Sequence, residues 1–211
     1  MRLRNAQSGF AVQCGDNKTA TLGLCGNFSS LVDGAFAMVF HAKFEGKAEN
    51  YFFGGVGTGS NALYLARNIG NSNDDSISFN CVDASGDQRT VKWAGIVPNH
   101  DWNNFIFNSS GSGSDTLKLH LNGLEKTITS QTNDVGFSVT EDYSLAFGEV
   151  NASKIDSFFF TAVYFYNRVL TEAEIAGIQL GVYPTDYIKA FPFNFPHRGL
   201  AEALPTWVNV D

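Results

Sequence analysis

Residues 157–167, SFFFTAVYFYN, are apolar on both sides of an extended chain and run straight into TEAEIAGIQLG, which reads as a helix. Successive side chains of a strand point to opposite faces. Phe158, Phe160, Ala162, Tyr164 and Tyr166 fall on one face, and Phe159, Val163 and Phe165 on the other. Such a strand belongs in the middle of a sandwich or under a covering segment. The helix signal behind it is specific. Thr171 suits the N-cap, Glu174 three residues on completes a capping box, and Leu170 with Ile175 can form a hydrophobic staple. Glu172 and Glu174 favour the positive helix end, and Gly181 is a natural stop. A helix of about nine residues is too short to stand alone. It is predicted to dock through Ile175 and Ile178.

The rest of the chain supplies the sandwich. Strand-like segments recur at Phe10–Gln13, Thr19–Leu24, 35–44, 51–55, 61–67, 76–82, 88–95, 102–108, 116–123, 124–130, 143–150 and 155–167. Between several of them stand GDNK, GTGS, GNSNDD and DASGD, all good turn chemistry. Asn122-Gly123 is the strongest hairpin signal. In AFAMVFHAKF, Phe36, Met38, Phe40, Ala42 and Phe44 form a core face, and Ala35, Ala37, Val39, His41 and Lys43 a wetter one. The 21 glycines, 14 % aromatic and 17 % charged residues fit an all-β domain with many turns.

Charge and cysteines narrow the setting. The formal net charge is −7 and no Lys/Arg cluster occurs, which disfavours nucleic acid and anionic membrane surfaces as partners. No apolar run reaches the ~18 residues of a membrane span. MRLRNAQSGF has no apolar core behind its arginines, so no secretory signal is read. The cysteines are Cys14, Cys25 and Cys81. If the chain turns at Gly15–Lys18, Cys25 lies ~20 Å from Cys14, beyond the ~7 Å reach of a disulfide. Buried free thiols are expected, a bent second strand being the exception.

The closing line, Ile155-Asp156 followed by Val163-Tyr164-Phe165-Tyr166-Asn167-Arg168-Val169-Leu170-Thr171-Glu172-Ala173-Glu174-Ile175, resembles the last strand and helix of laminin G-like jelly rolls in the concanavalin A-like lectin/glucanase superfamily. WNNFIFNSSGSGSDTLKLHLNGLEKTI resembles the family's central hairpin, and FAVQCGDNKTATLG and FAMVFHAKF its opening strands. The resemblance covers roughly residues 8–180. It implies an all-β fold: an antiparallel two-sheet jelly-roll sandwich with one short C-terminal helix. Residues 1–181 form this domain, and 182–211 a Pro/Phe-rich arm that packs in cis or on a neighbour. Such domains bind carbohydrate or protein, sometimes with calcium.

Catalytic patterns are missing. The E-x-D-x-x-E carboxylate pattern of the glucanase branch does not occur, and Glu141-Asp142 and Glu149…Asp156 lack its same-face spacing. His41, His100, His120 and His197 are scattered without zinc-ligand spacing, and His41 and His120 read as surface residues. GGVGTGSN follows a strand but precedes NALYLAR, another strand, so it lacks the helix N-terminus of a phosphate loop. The sequons at Asn17, Asn27, Asn108 and Asn151 read as chance matches. Asp16 and Asp156 are the positions where the resemblance would place calcium ligands, with turn capping as the alternative. As exposed rings for stacking on a ligand, Trp93 and Tyr64 are the candidates, whereas Trp102 matches a core position of the family.

The sequence therefore points away from an enzyme. It leads to a binding or assembly module on a virion or extracellular surface. The first reading is a structural component of a larger assembly, such as a bacteriophage decoration or fibre protein, with protein neighbours and a homo-oligomer formed through the arm. The alternative is a lectin-like adhesin domain that binds glycan, assisted by calcium.

Overall fold

The computed structural model describes residues 2–6, 9–14, 20–24, 35–44, 50–56, 62–67, 75–82, 88–96, 101–111, 116–132, 144–147, 158–187 and 189–192. The strands are β1 (Arg2–Ala6), β2 (Gly9–Cys14), β3 (Ala20–Leu24), β4 (Phe36–Phe44), β5 (Asn50–Val56), β6 (Ala62–Arg67), β7 (Ile77–Val82) and β8 (Gln88–Trp93). They continue as β9 (Asn103–Ser109), β10 (Leu117–Leu121), β11 (Leu124–Lys126), β12 (Ser130–Thr132), β13 (Ser144–Phe147) and β14 (Phe158–Tyr166). Helix α1 (Glu172–Gln179) and β15 (Lys189–Pro192) follow.

These strands form two antiparallel sheets. Sheet 1 runs β1-β2-β14-β4-β9-β10-β11, with β15 also paired to β14, and sheet 2 runs β12-β8-β7-β6-β5-β13-β3. The core lies between them, where aromatic rings from both sheets meet. Phe36 stacks on Phe79 at 6.1 Å, Trp93 meets Phe107 edge-on at 5.8 Å, and Phe40 packs edge-on against Phe107 and Phe165 at 6.1 and 6.2 Å. Offset and edge-on pairs are the arrangements that ring quadrupoles favour.

Three expected pairings differ. The turn at GDNK does not join a hairpin: β2 pairs with β1 and β14, while β3 pairs with β13 in the other sheet. The partner of β2 is the polar stretch RLRNA, which carries no strand pattern. The hairpin at Asn122-Gly123 forms, with φ of 51° and 79° as a tight primed turn requires. Its second arm pairs with β10 only over Leu124–Lys126, and β12 then joins β8 at the edge of sheet 2. Finally, the ladder of β14 shifts between Phe160 and Ala162. This bulge moves Phe160, opposite Ala42, onto the core face with Val163 and Phe165. It also marks where β2 stops pairing with β14 and β15 takes over.

The second apolar face of β14 is covered from outside. Ala37, Val39, Ile106, Tyr164 and Tyr166 of sheet 1 are buried with Leu170, Ile175 and Ile178, and Tyr183 packs against them. The helix is bounded as predicted. Thr171 and Glu174 form the reciprocal capping box, and the Gly181 and Val182 amides donate to the Ile178 and Gly177 carbonyls at 3.0 Å in a Schellman ending. Of the tail expected from residue 182, Tyr183 stacks on Tyr164 at 4.4 Å and Lys189–Pro192 pairs with β14 in cis.

Asn108 fixes the corner between β14 and the helix. It is 6 % exposed, its Nδ2 donates to the Leu170 carbonyl, and its Oδ1 accepts from the Leu170 amide, each at 2.9 Å. Both backbone groups of Leu170 would otherwise be buried without partners. Losing a partner for a buried polar group costs about 1–3 kcal/mol per group. We expect Asn108→Ala to lower the unfolding free energy by about 2–6 kcal/mol, from those two orphaned groups, measured as a lower urea midpoint at unchanged slope.

Candidate functional site

The two outer faces of the sandwich differ in chemistry. On sheet 2 the register aligns Thr132, Thr90, Asn80, Tyr64, Gly54 and Ala146 across β12, β8, β7, β6, β5 and β13. This row is out of phase with Val91 and Phe79, which are buried in the core, so it belongs to the outer face. Asn80 is fully buried in the floor of that face, where its Oδ1 accepts from Thr90 Oγ1 at 2.7 Å and its Nδ2 has no partner. Ser78, in phase with it, is also buried. The row is small and polar apart from one ring, Tyr64, placed between a glycine and an asparagine. The side chain of Tyr64 itself lies outside the described residues.

The outer face of sheet 1 is aromatic and closed. Burial first, and Tyr164 second, push the Tyr183 phenol up to about 12, and burial raises Tyr164 and Tyr166 as well. Tyr166 Oη donates to the Pro184 carbonyl at 3.2 Å. Arg168 ties the cover together. Its guanidinium reaches both carboxylate oxygens of Glu174 at 2.7 and 2.9 Å and both of Asp186 at 2.6 and 2.8 Å. Arg168, followed by the Thr171 amide, holds the Glu174 carboxyl down to about 2. The stabilisation from Glu174 is therefore present above its ordinary value of 4.5 and is lost as pH falls toward 2. Every charge in this group is spent on its neighbours, which makes it a clasp rather than a reactive centre.

The expected site residues separate. Trp93 is corrected: it is fully buried, because it shares the inward phase of Val91 on β8. It cannot offer a ring to a ligand. Trp102, expected in the core, is half-buried and lies 5.0 Å from the ring of His41. His120, read as a surface residue, is only 2 % exposed. Asp16 and Asp156 lie outside the described residues. The strands leading to them are neighbours, however, since Cys14 at the end of β2 pairs with Phe158 at the start of β14. The chain thus runs toward both aspartates from the same end of sheet 1. Among the described residues no group of three or more His, Cys, Asp or Glu side chains could hold a metal. None of the described helices is long and apolar enough to cross a membrane. The sequon at Asn108 is consumed by its bonds to Leu170, while Asn17, Asn27 and Asn151 are outside the described residues.

One amide cluster was not anticipated. Asn122 donates to Asn103 Oδ1 at 2.8 Å and accepts from the Asn104 amide at 2.9 Å, and Asn104 Nδ2 donates to Gln179 at 3.3 Å. A Cβ on Gly123 would sit 3.1 Å from Gln179 Cγ, so the hairpin tip and the helix end touch. The cluster braces helix to hairpin. The run of Asn103, Asn104 and Asn122 was visible in the sequence, but Gln179, more than fifty residues away, gave no sign of joining it. We expect Trp93→Ala to cost about 3–5 kcal/mol, as large-to-small core changes do, read by calorimetry as a lower melting temperature.

No curated protein matches the chain by sequence. Solved structures share its fold at low identity. The botulinum neurotoxin serotype D binding domain aligns over 85 % of this chain and 44 % of that one, with TM-score 0.61 and 13 % identity. The botulinum neurotoxin type G receptor binding domain gives 85 %, 44 %, 0.56 and 10 %. The binding domain of Paraclostridial Mosquitocidal Protein 1 gives 84 %, 45 %, 0.60 and 12 %. The chain spans about half the length of these structures. The laminin G-like family profile, described as the concanavalin A-like lectin/glucanases superfamily, matches residues 25–176. The chain belongs to that laminin G-like family.

Proposed function

We propose that this protein is a non-enzymatic recognition module that binds a glycan or a glycan-bearing receptor through the outer face of sheet 2 at Tyr64. The observation that carries the reading is the contrast between faces. The outer side of sheet 1 is filled by helix α1 and residues 180–187, whereas the outer side of sheet 2 carries a polar row with a single ring. An aromatic ring beside amides and hydroxyls suits a sugar, which presents apolar C–H faces and many hydroxyls. Gly54 beside Tyr64 leaves room for a ligand next to the ring. The solved binding and receptor-binding domains that share the fold support a binding role. The absence of a paired-carboxylate pattern supports reading it as non-catalytic. Calcium at Asp16 and Asp156 is part of the proposal, supported by the neighbouring strands that lead to them.

A second reading, a structural component of an assembly such as a bacteriophage decoration or fibre protein, draws on the segment after β15. That segment carries Phe193, Phe195, Leu200, Leu204, Trp207, Val208 and Val210. Apolar side chains in that number call for a surface to pack on. Both readings suit a virion or extracellular surface.

A glycan array with and without calcium tests the first reading. Binding of at least one glycan is expected, with Tyr64→Ala losing about tenfold or more in affinity, as expected for removal of a stacking anchor, at an unchanged melting temperature. An array blank in both conditions rules the lectin reading out. Ending the chain after Pro192 tests the second: loss of self-association in sedimentation supports it, and an unchanged mass contradicts it.

A further inference from the structure

Among the described residues, His120 is a buried titratable group that neither the clasp nor the core uses. It sits on the outer phase of β10, opposite Ile106 on β9 and Glu125 on β11. Ile106 lies in the apolar cluster under helix α1. The imidazole is 2 % exposed, and neither ring nitrogen has a hydrogen-bond partner. The charged groups that face it are Glu172 from the helix, Glu125 from β11 and Lys118 from its own strand. Glu125 is already paired with Lys118 at 3.0 Å.

A neutral imidazole survives there because it carries no charge. An imidazolium would bring two donors and a full charge into the same space. The strands around it are held by ladders on both sides, β4 and β10 flanking β9 and β9 and β11 flanking β10. The helix has eight residues and buries two, Ile175 and Ile178. Unlike those strands, it is held to sheet 1 by side chains rather than by a backbone ladder.

We propose that His120 is an acid-operated release for helix α1: protonation detaches the helix from the outer face of sheet 1 while both sheets persist. Release uncovers Ala37, Val39, Ile106, Tyr164 and Tyr166, an apolar and aromatic face hidden at neutral pH. The direction follows from linkage. Burial lowers the His120 value below its ordinary 6.5, with Glu172 and Glu125 opposing and Lys118 adding to the shift. The closed state therefore keeps its full advantage above 6.5 and loses it as pH falls below. His41 is also lowered by burial, so it serves as the control.

Hydrogen–deuterium exchange on the intact chain at pH 7.5 and 5.5, corrected for intrinsic rates, is the test. Protection of residues 172–179 is expected to fall by about tenfold or more on acidification, a local opening of the kind exchange resolves, while β4 and β9 keep theirs. His120→Gln should show the same helix protection at both pH values, and His41→Asn should keep the acid response. Should His120→Gln fail to fold, the wild-type imidazole is followed by NMR: a midpoint below 6.5 that coincides with the loss of helix protection supports the release. Helix protection that is unchanged by acid overturns it. So does an equal fall in the His120 variant, or an imidazole that titrates at or above 6.5.

Discussion

An apolar sheet face has to be covered, and here that requirement falls on the outer side of sheet 1. Val39, Ile106, Tyr164 and Tyr166 would meet water without helix α1 and Tyr183. The helix can cover them only if the chain turns sharply after β14, and the Asn108 amide sets that turn by serving both backbone groups of Leu170. Arg168 then joins the helix start to the returning segment through Glu174 and Asp186. The corner, the cap and the return of β15 to β14 form one mechanical unit, so the segment through Pro192 works as part of the sandwich.

That closure divides the molecule's labour. Sheet 1 spends both of its faces on stability, one against sheet 2 and one against the helix. Sheet 2 spends one face on the core, and its outer phase carries a row of Thr, Asn, Tyr and Gly in which Asn80 is buried. The chain belongs to the lectin/glucanases superfamily and shares its fold with solved binding domains.

Local signals carried the sequence reading well. The capping box at Thr171, the stop at Gly181 and the turn at Asn122-Gly123 each depend on a few adjacent residues, and each forms. Non-local events were illegible. Nothing in RLRNA marks it as the partner of β2, and the crossing of the chain between sheets after β2 and after β11 depends on contacts far apart in sequence. The bulge at Phe160 shifted half of β14 to the other face because period-two counting assumes an unbroken ladder. Trp93 could have been placed, since V-K-W alternates and Val91 already pointed inward. His120 could not, because it lies beside Ile106, whose face is covered by a helix contributed from more than fifty residues away.

The proposed function requires that Tyr64 be reachable from outside while Tyr164 and Tyr166 stay sealed under helix α1. Tyrosine footprinting by radical labelling and mass spectrometry tests it most directly. At neutral pH Tyr64 should label readily while Tyr164 and Tyr166 stay protected. A Tyr64 as slow as Tyr166, or a Tyr166 as fast as Tyr64, would contradict the account.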